Sequence, residues 1–505
     1  MKKILSLLVV VLSLICLPAC GGNSVANAGE KFKLLSLDDL KENSSEEAPI
    51  VVSFWHSFGH KISESLDPLI ESFEELYASQ GIYIDVQATS TGGGYDGLRS
   101  RVNLGTKSNS IPTMLLGYPD HFANYIDNDI LLPLDEFVYA DDENIKVDNV
   151  EDFVDSYWNE VKMTINGKES IAAIPFNKST EVTYYNASAC DPILYELGYI
   201  TYENGVYGKW ENPTWDQVWA VSEILKTRAN SSEGLSWTYK IDNKEVPSKS
   251  TKCVYPTFID SAANFFITST RQWGGEYTRA TGDVVFCNEE AIAAQEHFLE
   301  KANVNKIWNI PNKLNQSYGS NVLKNLEAFI SIGSTAGVKN NDSDKYELKV
   351  TAYPQKSYDN TSVQSVIQQG TNAGILSKNS NNLTRLAAWL LINYLSSPEV
   401  TTTFSINTGY LPVRESAKTS DTYVSFLADE QNIFTGKVAM TVNAAFAQQS
   451  YMFTDPAFSG SSAVRDKVDT MIIAIYCNDK DITAAIETAY AELDRLGIST
   501  IDLTK

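Results

Sequence analysis

Residues 174–186 read Ile-Pro-Phe-Asn-Lys-Ser-Thr-Glu-Val-Thr-Tyr-Tyr-Asn. β-Branched and aromatic residues at both ends favour a strand. The Asn-Lys-Ser-Thr step between them is polar, short and unlike a surface turn. Such a segment suits a chain that leaves one sheet, crosses a cleft and enters a second sheet, with hydroxyl and amide groups turned towards a ligand. An ordinary β-hairpin edge is the alternative that local chemistry leaves open.

The N-terminus has the pattern of a processing signal. Lys2 and Lys3 precede an apolar run, and residues 17–20 read Leu-Pro-Ala-Cys, which resembles a bacterial lipobox. The apolar run is shorter than the ~20 residues that a membrane-spanning helix needs. We therefore predict a signal peptide over residues 1–19 and a lipid on Cys20. A plain secretory signal or a short transmembrane anchor is the alternative.

The length of the chain indicates more than one core. Residues 20–48 are rich in Asn, Ser, Ala, Lys and Glu and are predicted to form a lipidated tether. The roughly 455 residues that follow are too many for one core and suit two lobes of about 200 residues each. We expect an N-lobe of residues 49–160 plus about 323–370, and a C-lobe of residues 161–322 plus about 371–505.

The charge of the chain excludes two classes of partner. There are 63 acidic and 40 basic residues, which give a formal net charge of −23. This charge repels nucleic acid and anionic lipid, so we expect neither as a partner. The acidic residues are scattered, which fits a solvated surface better than a cation site.

The cysteines of the predicted folded part carry no motif. Cys190, Cys253, Cys287 and Cys477 are too widely spaced for a CxxC metal or redox site. One or two disulfides and four free thiols are both compatible with a protein outside the cell.

Three strand-like segments are each followed by residues that can contact a ligand. Trp55 and His56 follow the first, Tyr95 comes after three glycines that follow the second, and Asp120 follows the third. In an open α/β sheet the ligand lies at the carboxyl ends of the strands, so these side chains are candidates for ligand contacts. For Asp120, capping of the next helix is an alternative role.

A metal site is the other interpretation of the first of these segments. His56, His60 and Glu64 are spaced by four residues, as helical metal ligands are. Gly59 and its loop interrupt the helix that would align them. We therefore predict no metal site and no cofactor.

Three segments resemble motifs of one protein family. They are Phe-Trp-His-Ser at residues 54–57, Pro-Phe-Asn-Lys-Ser-Thr followed by Tyr-Tyr-Asn within residues 174–186, and Thr-Gly-Tyr-Leu-Pro-Val at residues 408–413. In these motifs the chain is similar to extracellular solute-binding proteins of carbohydrate ABC importers, in particular the branch that binds glycerol phosphates and oligosaccharides. The resemblance covers residues 51–414 and favours a crossing over a hairpin edge at residues 174–186.

The resemblance implies an α/β fold of two lobes, joined by about three crossings, with a cleft that closes by a hinge. Crossings are expected at residues 174–186, 332–337 and 368–372. It implies a lipid-anchored monomer on the extracytoplasmic face of the cell membrane. The protein would capture a sugar or oligosaccharide and deliver it to ABC permease subunits, whose ATPase lies inside the cell. Capture is not catalysis, so we expect no enzyme.

The resemblance and the local chemistry together give a set of expected ligand contacts. Aromatic rings stack on the apolar face of a pyranose, and hydroxyl groups and flexible backbone suit its polyol edge. For the aromatic residues of the second lobe, packing within the lobe is an equally open alternative. The expected contacts are Trp55, His56, Tyr95, Asp120, Ser179, Tyr255, Phe258, Trp273, Ser334, Thr335, Gly370 and Tyr410.

One departure from the family bears on the ligand. Members that bind glycerol phosphates carry an arginine in a loop before the C-terminal helices, whereas the equivalent residues 453–460 read Phe-Thr-Asp-Pro-Ala-Phe-Ser-Gly. Arg465 follows, and we expect it on a helix, facing solvent. A neutral sugar is therefore favoured over a glycerol phosphate or glycerophosphodiester. A surface glycoside hydrolase using Asp120 or Glu181, and a surface adhesin or sensor, are alternatives from other classes.

Overall fold

The computed structural model describes residues 30–241, 244–359 and 362–505. The predicted signal peptide and Cys20 lie outside the described residues. The strands are β1 (Ile50–His56), β2 (Ile84–Ser90), β3 (Met114–Gly117), β4 (Lys162–Ile165), β5 (Lys168–Ile171), β6 (Ile174–Asn186), β7 (Tyr202–Glu203), β8 (Val206–Tyr207), β9 (Leu235–Ile241), β10 (Lys244–Ser250), β11 (Thr257–Ile259), β12 (Val284–Cys287), β13 (Trp308–Asn309), β14 (Ile330–Ser334), β15 (Leu348–Thr351), β16 (Val366–Ile375), β17 (Met452–Phe453) and β18 (Thr500–Asp502). The α-helices are α1 (Leu37–Glu42), α2 (His60–Ala78), α3 (Gly94–Gly105), α4 (Pro119–Asp127), α5 (Asp135–Val138), α6 (Asp155–Asn159), α7 (Ala187–Glu196), α8 (Trp215–Ala229), α9 (Ala262–Gln272), α10 (Glu289–Glu300), α11 (Gly319–Lys324), α12 (Val338–Asn341), α13 (Asn382–Leu395), α14 (Pro398–Thr408), α15 (Glu415–Thr419), α16 (Asp421–Ala428), α17 (Gly436–Ala447), α18 (Ser461–Asn478) and α19 (Ile482–Arg495).

One sheet runs through both halves of the molecule. Its strand order is β13-β11-β14-β6-β16-β3-β1-β2, with β15 also paired to β6 and β17 to β16. β1 is parallel to β2 and β3, so the carboxyl ends of these three strands lie at one edge. β6 is buried along its whole length, because other strands pair with it on both sides.

Two hydrophobic cores define two lobes, which confirms the two-lobe α/β prediction. The first core contains Ile174 and Phe176, from the start of β6. The second contains Val182 and Tyr184, from its end. β6 therefore crosses from one lobe to the other, and residues 174–186 form a crossing rather than a hairpin edge.

The lobes divide the chain differently from the prediction. Val366 packs in the second core and Ile375 in the first, so β16 is a second crossing. Residues 323–366 therefore belong to the second lobe and residues 373–410 to the first, the reverse of the expected assignment, and residues 161–176 also lie in the first lobe. The physical reason is strand pairing. β14 and β15 both pair with the second-lobe half of β6, so the chain returns only at β16.

The third crossing begins at residues 408–413 rather than at residues 332–337. Ile332 belongs to the second core, and its strand β14 stays within that lobe. Tyr410 and Val413 pack in the first core and Leu411 in the second, Arg414 donates to the first-lobe residue Asn149, and the chain enters the second core at Tyr423 of α16. The Thr-Gly-Tyr-Leu-Pro-Val motif is thus part of the hinge.

Residues 30–48 are folded against the first lobe, which corrects the predicted tether over this range. Ser36 caps α1, and Leu40 within that helix is fully buried. The Phe32 ring packs edge-on against Phe137 with 5.1 Å between centroids. The few apolar residues of this stretch form a packing face, which the mostly polar composition does not predict.

The described cysteines are in the free-thiol state. Cys190, Cys253 and Cys287 are buried and Cys477 is partly exposed, and all four are unpaired. Of the two alternatives that the sequence leaves open, the structure has free thiols.

Candidate functional site

A cleft between the lobes opens at the carboxyl end of β3. Its enclosed part measures about 90 Å³ and continues into a wider space of about 630 Å³. Both lobes and the crossing strand β16 contribute walls. The enclosed part is lined by Tyr118, Pro119, Asp120, Glu160, Asn264, Tyr277, Thr278, residues 367–370, residues 454–457, Ser461 and Arg465.

Arg465 is the cation that lines the smaller part of the cleft. It lies in the second turn of α18 and its guanidinium donates to the Asn264 side-chain oxygen. Burial lowers the pKa of Arg465, but Asp120, Asp455 and two tyrosines raise it beyond its ordinary value. Burial also raises the pKa of Asp455 to about 6, although Arg465 opposes that shift. The expectation that Arg465 faces solvent is therefore wrong, and the arginine lies between carboxyl groups of both lobes.

A buried carboxyl group holds two amides at the cleft wall. Glu181 Oε1 accepts hydrogen bonds from Asn264 Nδ2 at 3.0 Å and from Gln369 Nε2 at 3.2 Å. Ser179 Oγ donates to the oxygen of the same Gln369 at 3.5 Å. Burial raises the pKa of Glu181 to about 7. Glu181 thus fixes a side chain from α9 and one from β16, both of which line the cleft.

A second carboxylate ties the crossing strands to the first lobe. Glu160 pairs with Lys178, which is fully buried on β6. Gln368 Nε2 donates to Glu160 at 2.6 Å, and Asn372 Nδ2 donates to it at 3.0 Å. Burial lowers the pKa of Lys178, and Glu160 counteracts this shift. The position of Gln368 at the cleft wall is set by this charge pair.

Gly370 lets the two crossing strands approach each other. Its φ is +97°, which L-residues rarely adopt. A Cβ at this position would lie 2.0 Å from the backbone oxygen of Asn177 on β6. Only glycine fits where β16 passes β6 at the floor of the cleft.

Comparison with known proteins assigns a family. Residues 69–435, more than half of the chain, match the family described as bacterial extracellular solute-binding protein. The chain belongs to this family. No curated protein matches it.

Solved structures share the fold of this solute-binding protein. Maltose-bound MalE3 of T. maritima has a TM-score of 0.66 at 17% identity, covering 88% of this chain and 100% of that one. UgpB from Mycobacterium tuberculosis, in complex with glycerophosphocholine, has a TM-score of 0.66 at 17% identity, with 88% and 97% covered. Lmo0181 from Listeria monocytogenes, an ABC substrate-binding protein in complex with cycloalternan, has a TM-score of 0.66 at 12% identity, with 89% and 100% covered.

Five of the expected contact residues lie in or directly behind the cleft of the solute-binding protein. Asp120 and Gly370 line it, and Ser179 contacts Gln369 as described above. The Tyr95 ring packs edge-on against Tyr118, with 5.0 Å between centroids. Tyr410 is buried and hydrogen-bonds with the hydroxyl of Tyr95, so both tyrosines support Tyr118 from behind.

Trp55 and His56 lie outside the cleft lining. Trp55 is half-buried against the first core. His56 is 2% exposed, and its Nδ1 accepts the Phe58 backbone N–H at 3.2 Å. Burial lowers the pKa of His56 to about 4. These two side chains shape the β1–α2 turn.

The expected ring platforms of the second lobe are packed against other side chains. Tyr255 and Phe258 are buried in a separate apolar cluster, so the expectation that they present exposed rings is wrong. Trp273 packs against Phe298 with 5.5 Å between ring centroids, and Lys356 Nζ lies 4.8 Å from its ring centroid. Packing against neighbours decides the position of all three.

Ser334 and Thr335 lie at the hinge. The Tyr184 hydroxyl donates to their backbone oxygens at 2.8 Å and 3.0 Å. Thr335 is fully buried, and its backbone oxygen lies next to Gly409 of the third crossing. Neither residue lines the cleft.

Several cleft residues are missing from the sequence-based set. Tyr118 and Asp455 lie beside residues or loops that the sequence singles out, so their neighbourhood is a usable signal. Asn264 has no such signal, because it becomes part of the cleft only through the packing of α9 against α18. The missing residues include Tyr118, Glu160, Asn264, Tyr277, Gln368, Gln369, Asp455 and Arg465.

The two histidines of the β1–α2 region lie in different surroundings. His60 Nε2 lies 3.2 Å from Glu64 on the exposed face of α2, while His56 is turned into the core. Within residues 30–241, 244–359 and 362–505, no group of three or more His, Cys, Asp or Glu side chains has metal-binding geometry.

Proposed function

We propose that this solute-binding protein captures a neutral sugar or oligosaccharide in the cleft and delivers it to an ABC importer. The observation that carries the proposal is the grouping of Arg465 with Asp120 and Asp455 at the cleft wall. The positive charge of Arg465 compensates negative charge on the two carboxyl groups, and each of the three side chains is still a strong hydrogen-bonding group. Sugar hydroxyls both donate and accept, and hydrogen bonds to charged groups are the stronger kind.

Aromatic side chains add stacking surfaces to the hydrogen-bonding groups of the cleft. Tyr118 of the first lobe and Tyr277 of the second both line the cleft. A ring that stacks on a pyranose contributes about 1 kcal/mol. A ligand held by both lobes favours the closed state by its differential affinity, and the closed form is the one that would dock on the permease.

The shape of the cleft favours an oligosaccharide. The enclosed part is small, at about 90 Å³. The wider part adds about 630 Å³ and has apolar walls from Met163, Phe453 and Phe458. A ligand of two or more rings would place one end near Arg465 and lay its remaining rings along this wall.

A glycerophosphodiester is the second candidate, because Arg465 faces the cleft and UgpB, which has the same fold, was solved with glycerophosphocholine. Two carboxyl-bearing residues, Asp120 and Asp455, line the same space, while the carboxylate of Glu160, also in the lining, is paired with Lys178. Two like charges 4 Å apart repel by about 4 kcal/mol at an effective dielectric constant of 20. A phosphate group would meet this repulsion and a neutral saccharide would not.

The proposal includes the location of the protein and its mode of action. A lipid on Cys20 would anchor it at the extracytoplasmic face of the cell membrane, since two or more acyl chains hold stably where one does not. Among the described helices, none is both long and apolar enough to span a bilayer. We infer that the protein acts as a monomer and binds its ligand without cleaving it.

A thermal-shift screen tests the proposal with maltose, maltotriose, cyclic oligosaccharides and glycerophosphocholine. A ligand at a hundredfold over its Kd stabilises the native state by about 2.7 kcal/mol. We expect a saccharide to raise the melting temperature by several degrees and to be recovered intact by chromatography. A shift with glycerophosphocholine alone would overturn the choice of a neutral ligand, and recovery of cleaved saccharide would indicate a hydrolase.

A further inference from the structure

A side chain outside the cleft lining joins the two lobes. Arg99 lies on α3 of the first lobe. Its guanidinium donates to Ser462 Oγ at 3.0 Å and to Asp466 Oδ2 at 2.7 Å, both on α18 of the second lobe. The Arg99 side chain is 12% exposed and that of Asp466 is 44% exposed. Among ion pairs of the described residues, this is the one that links a first-lobe helix to a second-lobe helix.

The phase of α18 explains how one arginine reaches both partners. Ser462 and Asp466 are four residues apart, so they lie one turn apart on the same helix face. Arg465, between them in sequence, lines the cleft. The first two turns of α18 therefore carry a cleft residue and both partners of Arg99, so a movement of this helix changes the cleft and the contact together.

We propose that Arg99 is a positioning residue that holds the lobes closed over the ligand without touching it. The contact with Ser462 and Asp466 exists only while α3 and α18 are adjacent, and an open cleft breaks it. The apparent affinity of a ligand falls with the population of the state that binds it. Arg99 therefore contributes to the equilibrium between open and closed lobes and, through it, to the affinity for the ligand. The claim about affinity rests on the proposed function, whereas the claim about the lobe equilibrium does not.

This assignment gives a neutral ligand a salt-dependent affinity. The partly exposed Asp466 leaves the ion pair open to counterions, and the Debye length falls from about 30 Å at 0.01 M salt to about 3 Å at 1 M. A sugar carries no charge of its own to screen. A rise of its Kd with ionic strength would report on the contact between the lobes.

Small-angle X-ray scattering of the purified protein without added ligand tests the proposal. At ~20 mM NaCl we expect Arg99→Gln and Asp466→Asn to have a larger radius of gyration than the wild type. The double variant should be no larger than either single variant, because both remove the same interaction. At ~1 M NaCl the difference from the wild type should vanish. Equal radii at low salt would overturn the proposal, whichever ligand the protein binds.

Titration with maltotriose gives the second measurement. We expect a Kd about tenfold higher for Arg99→Gln at low salt, and a salt dependence in the wild type that the variant lacks. Arg228→Gln is the matched control, because Arg228 pairs with Glu196 within the second lobe at 2.6 Å. If Arg228→Gln changes the radius or the Kd as much as Arg99→Gln does, the effect is general and the proposal fails. Failure of maltotriose to bind any form counts against the proposed function alone.

Discussion

Arg465→Ala is expected to raise the Kd for the saccharide ligand by about a hundredfold or more. A hydrogen bond made by a charged group contributes about 1.5–3 kcal/mol, and Arg465 would make such bonds to the ligand. The substitution removes the donor to the Asn264 side-chain oxygen and a positive charge that acts on both Asp120 and Asp455. Burial already raises the pKa of Asp455 to about 6 with the arginine present, so its carboxyl group should be driven further towards the protonated form. Isothermal titration calorimetry measures the change.

Two further variants separate this effect from general loss of charge. Arg495→Ala removes an exposed arginine from the end of α19 and should leave the Kd unchanged. Arg465→Lys keeps the charge but not the planar donor geometry, and should fall between the wild type and Arg465→Ala. A Kd for Arg465→Ala within twofold of the wild type would contradict the place given to Arg465 in the site.

Gly370→Ala is expected to lower the free energy of unfolding by about 4 kcal/mol or more. The new Cβ would lie 2.0 Å from the Asn177 oxygen and 2.5 Å from Lys178 Cα, both backbone atoms that cannot rotate away. The left-handed φ adds strain of about 1–3 kcal/mol. The two crossing strands would have to separate, which also disturbs the floor of the cleft. Urea denaturation measures the loss.

Gly274→Ala is the matched control. Gly274 has nearly the same φ, +93°, but a Cβ added there would meet no other atom within 4 Å. The variant should therefore show the backbone strain alone, about 1–2 kcal/mol. Equal losses for the two variants would mean that the contact between β6 and β16 has no part in the effect.

The sequence is informative where short motifs determine local backbone. The segment at residues 174–186 predicts a strand, its resemblance to the family motif favours a crossing, and Asp120 is expected just after a strand, where it lies. Both depend on residues close together in the chain. The lobe boundaries depend on which strands pair with β6, and that pairing joins residues more than a hundred positions apart, such as Ser331 and Tyr184.

The orientation of single side chains is harder to predict. Each helical residue turns by about 100° relative to the last, so an error of one or two residues in the start of α18 moves Arg465 from the cleft to solvent. Tyr255 and Phe258 are a second example, because aromatic residues on loops resemble ligand platforms. In the structure they pack with Val322 and Ala328 in a buried apolar cluster. Neither outcome can be predicted from local sequence.

Hydrogen–deuterium exchange with the saccharide that gives the largest thermal shift tests most directly whether the ligand lies between the lobes. We expect slower exchange together in three segments: residues 118–127 of the first lobe, residues 366–373 of the crossing strand and residues 454–466 of the second lobe. Residues 255–258, which carry the two rings of the separate apolar cluster, should not change. Protection confined to one lobe, or absent from all three segments, would contradict capture in the cleft.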